Sequence, residues 1–267
     1  MNGDLKTILQ ERCRSMEISL MGVANVERWD DRGRAMGIPR AFFPHSLFPE
    51  ARSVIVIGLP IHLPVIETSP SLWYHEEYMI VNHLLDQYSY RLANFLNESG
   101  FPSIPVPRDG YAGIEALMKK PVAFFSHRHA AFLAGLGTFG VNNMILTPQY
   151  GPRARFASIL TAATIPTDPL MEEEICIRCM RCVNLCPSHA LKEGSYPVTL
   201  TDKMACIAHS ARLNREGVSP CGICIKVCPA GEDRIRFQRV RPSLYESREG
   251  NEKYHRAWEH ARSFGKR

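Results

Sequence analysis

The sequence predicts a mixed α/β domain followed by a small cysteine-rich domain, and three observations carry that prediction. Short β-branched runs alternate with helical periodicities through about residue 168. Eight of the nine cysteines fall between positions 176 and 228, and an acidic stretch separates the two regions. At 267 residues, 45% hydrophobic and 22% charged, the chain is long enough to bury a full core and a smaller unit beside it.

The first residues, MNGDLKTILQERCRSMEISLMG, have a polar helical pattern. They hold no apolar run that could serve as a signal peptide or membrane span, so a soluble cytoplasmic protein without membrane association is expected. Cys13 on this helix reads as a small buried side chain. Residues 17–26 and 52–59 (RSVIVIGL) are apolar, β-branched and bounded by polar residues or proline, as buried strands are. Between 71 and 99, Leu72, Val81, Leu84, Leu85, Tyr88, Leu92, Phe95 and Leu96 recur at helical spacing, with Gly100 as the stop. This long helix is expected to pack on the sheet. Residues 121–136 read as a strand or turn entering a helix, and 144–147 and 155–164 (RFASILTAAT) as strands around a turn at 148–152. The acidic TDPLMEEE at 167–174 places a boundary near residue 170. The expected organisation is an α/β domain over 1–170, a cysteine domain over 171–232 and a basic tail over 233–267.

Cys176, Cys179, Cys182, Cys186 and Pro187 make C-x2-C-x2-C-x3-C-P, the spacing of bacterial two-cluster ferredoxins. Three thiolates on one tight loop face one cubane, while the fourth, carried onward, points at another. A second motif must therefore exist, and Cys221, Cys224, Cys228 and Pro229 supply it. Its missing ligand is most economically Cys206, fifteen residues before Cys221. Exchange of fourth ligands assigns Cys176, Cys179, Cys182 and Cys228 to one [4Fe-4S] cluster and Cys186, Cys206, Cys221 and Cys224 to the other. Gly222 is expected to let the backbone approach a sulfide, and Ile175, Ile177, Val183, Ile223 and Val227 to exclude water or simply to pack. Two structural zinc sites are the competing reading.

From 232 to 267, ten Lys or Arg stand against six acids, which accounts for +4 of the chain's formal +5. Such a tail can dock an acidic partner, although a solvated helix of mixed charge is the plainer reading. A basic surface large enough for tRNA is not evident, and tRNA is not an expected partner.

Residues 134–155, AGLGTFGVNNMILTPQYGPRAR, run on through RFASILT to the cysteine motifs and are echoed earlier by ARSVIVIGLP. These blocks, about half the chain, resemble a superfamily shared by cobalamin-dependent epoxyqueuosine reductases and corrinoid reductive dehalogenases. The resemblance implies a nitroreductase-like α/β domain that holds cobalamin without a protein histidine beneath cobalt. The ferredoxin domain would feed electrons to it, supplied by a low-potential ferredoxin- or flavodoxin-type donor. No D-x-H-x-x-G cobalamin motif is present. The resemblance places cobalamin contacts at Gly135, Leu136, Gly137, Gly140, Asn142 and Asn143, the glycines allowing close backbone approach. Three departures qualify it. The acid that epoxyqueuosine reductases use as proton donor falls at Pro121, and the neighbouring Glu-Arg pair reads His127-Arg128. His127, His129, Tyr111 or Tyr150 would then supply any proton, unless each is structural. Val141 replaces a lysine of that family. Finally, neither the helical-repeat extension of a tRNA-binding reductase nor a twin-arginine signal is found. The expected activity is therefore a reductive reaction on a corrinoid or small molecule. The alternative is an electron-transfer or activating protein that reduces a cofactor held by a partner, and the third reading is tRNA epoxyqueuosine reduction.

Overall fold

The apolar runs at 20–25 and 53–60 become neighbours in one antiparallel sheet of the computed structural model, which describes residues 2–194 and 196–264. The strands are β1 (Leu20–Asn25), β2 (Ser53–Pro60), β3 (Ser103–Val106), β4 (Thr138–Phe139), β5 (Ile145–Leu146) and β6 (Ala154–Thr161). The main sheet has the order β1-β2-β6-β3, and β4 pairs with β5 separately. β2 and β6 are central and buried along nearly their whole length, which is why their sequences are almost continuously apolar. Their side chains alternate between two cores. Ile55, Ile57 and Ile159 meet Leu85, Leu92 and Leu96 of the helix Leu72–Glu98, while Val54, Val56 and Leu160 meet Ala130 and Leu133 of the helix His127–Leu133. The result is a mixed α/β layering with a helix on each face of the sheet.

The 27-residue helix begins where the Ser71 hydroxyl accepts from Tyr74 N. It ends where Gly100 N and Phe101 N return to Asn97 O and Leu96 O, both within 3.0 Å. β3 escapes a sequence reading because Pro102, Pro105 and Pro107 punctuate it. As an edge strand paired only with β6 it tolerates prolines that a central strand would not. Cys13 is buried in the first core, as its isolation suggested.

The acidic stretch near residue 170 has no helix or strand, but it is tied to the sheet. The Asp168 carboxylate accepts from Val23 N and from Lys6 Nζ, both at 2.8 Å, and Asp168 O accepts from Arg28 at 2.7 Å. The basic tail also differs from a solvated extension. Its helices Glu232–Arg236, Ser243–Glu246 and Glu252–Ser263 fold back so that Trp258 and Arg234 are buried. Two large side chains with apolar area and one internal ion-pair network hold it there. Lys266 and Arg267, counted in the tail charge, lie outside the described residues.

Candidate iron-sulfur and redox site

The cysteine motifs fold as two short loops facing each other. Each loop enters one helical turn, Arg181–Asn184 or Ile223–Lys226, through a left-handed residue, Met180 or Gly222. Cys176, Cys179, Cys182 and Cys228 line one small pocket with Val141, Met180 and Pro229 that opens to solvent. Burial pushes the Cys182 thiol up to about 12, with the nearby Cys228, Cys179 and Cys176 adding to it. The other four stand together as well. Burial raises Cys221 to about 11, reinforced by Cys206 and Cys186, and burial raises Cys224 further, reinforced by Cys221 and Cys206. Thiols whose pKa is driven up by desolvation and by one another are poor as free thiolates, and a cationic metal centre relieves both penalties. Among the described residues, no three His, Cys, Asp or Glu side chains converge on a point suited to a single metal ion.

Gly222 does not face open space, contrary to the sequence expectation. At φ +72 its Cβ direction meets Tyr74 Cε1 at 2.6 Å and Ile66 Cδ1 at 2.8 Å, so this residue seats the second loop against the long helix. The three glycines of AGLG-TFG have a similar explanation. A Cβ on Gly135 would lie 2.0 Å from Pro169 O, one on Gly137 2.1 Å from Leu146 O, and one on Gly140 2.6 Å from Leu146 Cδ1. They make room for the protein's own chain rather than for a ligand. Leu136 packs against the second core. Asn142 donates to Cys224 O at 3.3 Å and accepts from Met144 N at 3.1 Å, tying this segment to the second cysteine loop. Asn143 donates to Thr201 while its Oδ1 is buried without a partner.

The proposed proton donors separate in space. His127 is held on both nitrogens: Nε2–H donates to Pro107 O at 3.0 Å, which leaves Nδ1 to accept from the Ser158 hydroxyl at 2.9 Å. His129 contacts Ser126 Oγ at 2.7 Å and the Tyr196 hydroxyl. Burial lowers His127 to about 4 and His129 to about 3. Both rings are neutral near pH 7 and structural in their bonding, so neither is a poised acid. Tyr150 sits in the turn closed by the Thr147–Gly151 bridge and packs against the second core. Tyr111 joins a polar cluster of Arg155 and Asp109, whose charges also reach His127. Its hydroxyl donates to Asp109 Oδ1 at 3.4 Å, and burial and that carboxylate raise its pKa, so it keeps its proton.

That cluster was not read from the sequence. Arg155 on β6 donates to Asn82 Oδ1 at 3.0 Å, stands 3.5 Å from Asp109 and lies 4.4 Å over the Tyr78 ring. Arg108 pairs with Asp109 at 3.3 Å and with Asp86. Tyr78 in turn meets buried Tyr74 edge-on, with ring centroids 6.3 Å apart, and Tyr74 feels the charge of Cys224 and Cys221. A continuous row therefore runs from the second cysteine loop through Tyr74 and Tyr78 to Arg155, Asp109 and Tyr111. The available signal was Arg155 itself, a lone charge inside an otherwise apolar strand.

The neutral histidines make one prediction. Their folded pKa values lie below the unfolded 6.5, so the unfolded chain takes up protons first as the solution is acidified. Their stabilisation is complete above about pH 6.5 and is lost as pH falls from there toward about 4. The thermal midpoint should drop between pH 7 and 5, and less in His129→Gln than in the parent. Equal drops would exclude His129 as a contributor.

A thiol-lined pocket of this kind defines an iron-sulfur protein, and a 4Fe-4S binding domain family matches residues 170–192. Relatives are 27–28% identical. An epoxyqueuosine reductase of Synechococcus sp. (strain CC9605) aligns with 76% of this chain and 65% of its own length, at 27% identity. A tetrachloroethene reductive dehalogenase of Desulfitobacterium hafniense aligns with 66% of this chain and 32% of its own length, at 28% identity. The chain thus spans about a third of the dehalogenase and just under two thirds of the reductase. Solved structures share the fold. An epoxyqueuosine reductase bound to a tRNA-Tyr stem loop superposes with a TM-score of 0.56 at 22% identity, over 85% of this chain and 65% of that one. A reductive dehalogenase whose structure suggests a mechanism for B12-dependent dehalogenation gives 0.61 at 18%, over 88% and 33%. In sequence the chain is similar to both epoxyqueuosine reductases and reductive dehalogenases, and it shares their fold, which fits a divergent member of that superfamily. No helix among the described residues is long and apolar enough to cross a membrane.

Proposed function

We propose that this chain is an iron-sulfur reductase that relays single electrons through two [4Fe-4S] clusters to a reductive site beside Arg155 and Asp109. The observation that carries the proposal is that Cys228, from the second motif, shares one pocket with Cys176, Cys179 and Cys182 of the first. Cys186, Cys206, Cys221 and Cys224 act on one another electrostatically, and Cys224 also feels Cys182. The shared pocket supports an exchange of fourth ligands between the motifs. When bound, the clusters supply one-electron storage at low potential. The chain's own part is to shield and orient. Tyr74, fully buried, excludes water between the second loop and Tyr78, Arg155 offers a cation to an anionic group, and Tyr111 holds a proton on its hydroxyl beside Asp109.

The relatives favour a corrinoid as electron acceptor, with a small molecule as the final substrate. When bound, a corrinoid supplies a strongly reducing cobalt centre. The glycine segment does not fit the role of its cradle, because the space a ligand would need is filled by Pro169 and Leu146. That observation favours a second reading, in which the clusters reduce a cofactor held by a separate protein. Anaerobically purified chain should carry about eight irons, and zinc in their place would overturn the cluster reading. Titrating that protein with cobalamin separates the two functions. A base-off spectrum of the bound cofactor supports the reductase, and an unchanged free-cofactor spectrum supports the carrier.

A further inference from the structure

All the charged side chains that are buried among the described residues lie in one knot: Glu67, Arg153, Lys226, Asp233 and Arg234. Arg153, 0% exposed, grips the Asp233 carboxylate at 2.7 and 2.6 Å and reaches Ala230 O at 2.5 Å and Cys228 O at 3.3 Å. Arg234, 1% exposed, donates to the same Cys228 O at 3.0 Å, to Lys226 O and to the Tyr245 hydroxyl. Tyr245 donates onward to Glu67 at 2.5 Å, and Arg239 caps Glu67 at 3.3 Å. The Lys226 ammonium donates to Ser69 O at 3.3 Å and lies 5.2 Å over the Trp258 ring.

Three buried cations thus face two buried carboxylates, and the two guanidinium groups converge on the peptide carbonyls around Cys228, whose thiol feels both charges. A buried surplus of positive charge is costly unless an anion lies beside it. A cubane held by four thiolates is such an anion, and it gains one further negative charge when reduced. The second cysteine loop meets different cations: Lys226 acts on Cys221, and Arg128, which donates to Asn143 O, acts on Cys206 and Cys224.

Resting on the two-cluster reading, we propose that Arg153 and Arg234 are positioning residues that fix the Cys228 loop and raise the reduction potential of its cluster. One electron passes from a low-potential donor to that cluster, whose charge becomes more negative by one. No bond forms or breaks and no proton is transferred.

An EPR-monitored redox titration of the anaerobically purified full chain, with dithionite as reductant, tests this. The parent should show two separable reductions, and Cys206→Ser should retain only the one that belongs to the Cys228 cluster. Arg234→Gln should lower that step at least tenfold in its reduced-to-oxidised ratio at fixed potential, about 59 mV for a one-electron couple, and leave the other step in place. Arg234→Lys, which keeps the charge, should shift it less. Should Arg234→Gln shed iron, Arg153→Gln decides, since Arg234 still holds Cys228 O, and it should lower the same step. Iron-complete variants with both potentials unmoved would overturn the inference alone. A parent without four-iron signals would overturn the cluster reading along with it.

Discussion

Cys206→Ser is expected to halve the iron of the anaerobically purified protein, from about eight to about four atoms per chain, while one cluster keeps its EPR signal. Cys206 is the ligand furthest from any short motif. It sits on the helix Lys203–Arg215, exposed, and is joined to the cysteine loops through its electrostatic reach to Cys186, Cys221 and Cys224. The exchanged assignment sharpens the test. Cys186→Ser should remove the same cluster as Cys206→Ser, although Cys186 follows Cys182 by four residues. Cys228→Ser should instead remove the cluster held by the first loop. If Cys206→Ser retains full iron, the fourth ligand of that cluster is another group and the pairing is wrong. If Cys186→Ser and Cys182→Ser abolish the same signal, the ligands are not exchanged between motifs.

The second large effect concerns stability. Asp233→Ala should cost about 3–5 kcal/mol, because it strands the fully buried Arg153 guanidinium with only carbonyl partners. The same carboxylate also accepts from Arg234 N at 2.9 Å, so its loss loosens the turn that carries Cys228. The readout is the urea midpoint of the anaerobic holo-protein, compared with that of Glu174→Ala. The Glu174–Arg178 pair is similarly short at 2.9 Å but lies in solvent, where water screens it and side-chain entropy offsets it. Glu174→Ala should leave the midpoint unchanged. A comparable response from both variants would mean that the buried knot holds nothing in place. Iron content measured alongside separates unfolding from simple loss of a cluster.

The parts of the fold that were legible in the sequence are those where one local pattern decides the outcome. β2 and β6 announce themselves because strands buried on both faces are apolar at most positions. The long helix is visible through its spacing and its glycine stop, although Ser71 as its cap was not named. β3 was missed because three prolines mask a strand whose edge position forgives them. The tail misled for a related reason. Its charges outnumber its apolar residues, yet Trp258 and Arg234 carry enough buried contact to pin it to the rest of the chain.

Cysteine spacing by itself determined that this protein is built to hold iron-sulfur clusters, because the ligand geometry of a cubane is written into gaps of two and three residues. Only the tertiary structure decided what surrounds them. The knot behind Cys228 draws on positions 67, 153, 226, 233 and 234, and the polar row on 74, 78, 82, 109, 111 and 155. No local spacing relates those positions. Buried charges must find partners wherever the fold brings them, whereas a cluster loop takes most of its ligands from its own neighbours in the chain. The glycines show the same division. The sequence could say that something passes close to Gly135, Gly137 and Gly140, and the fold identified it as the protein's own chain, backbone at the first two and the Leu146 side chain at the third.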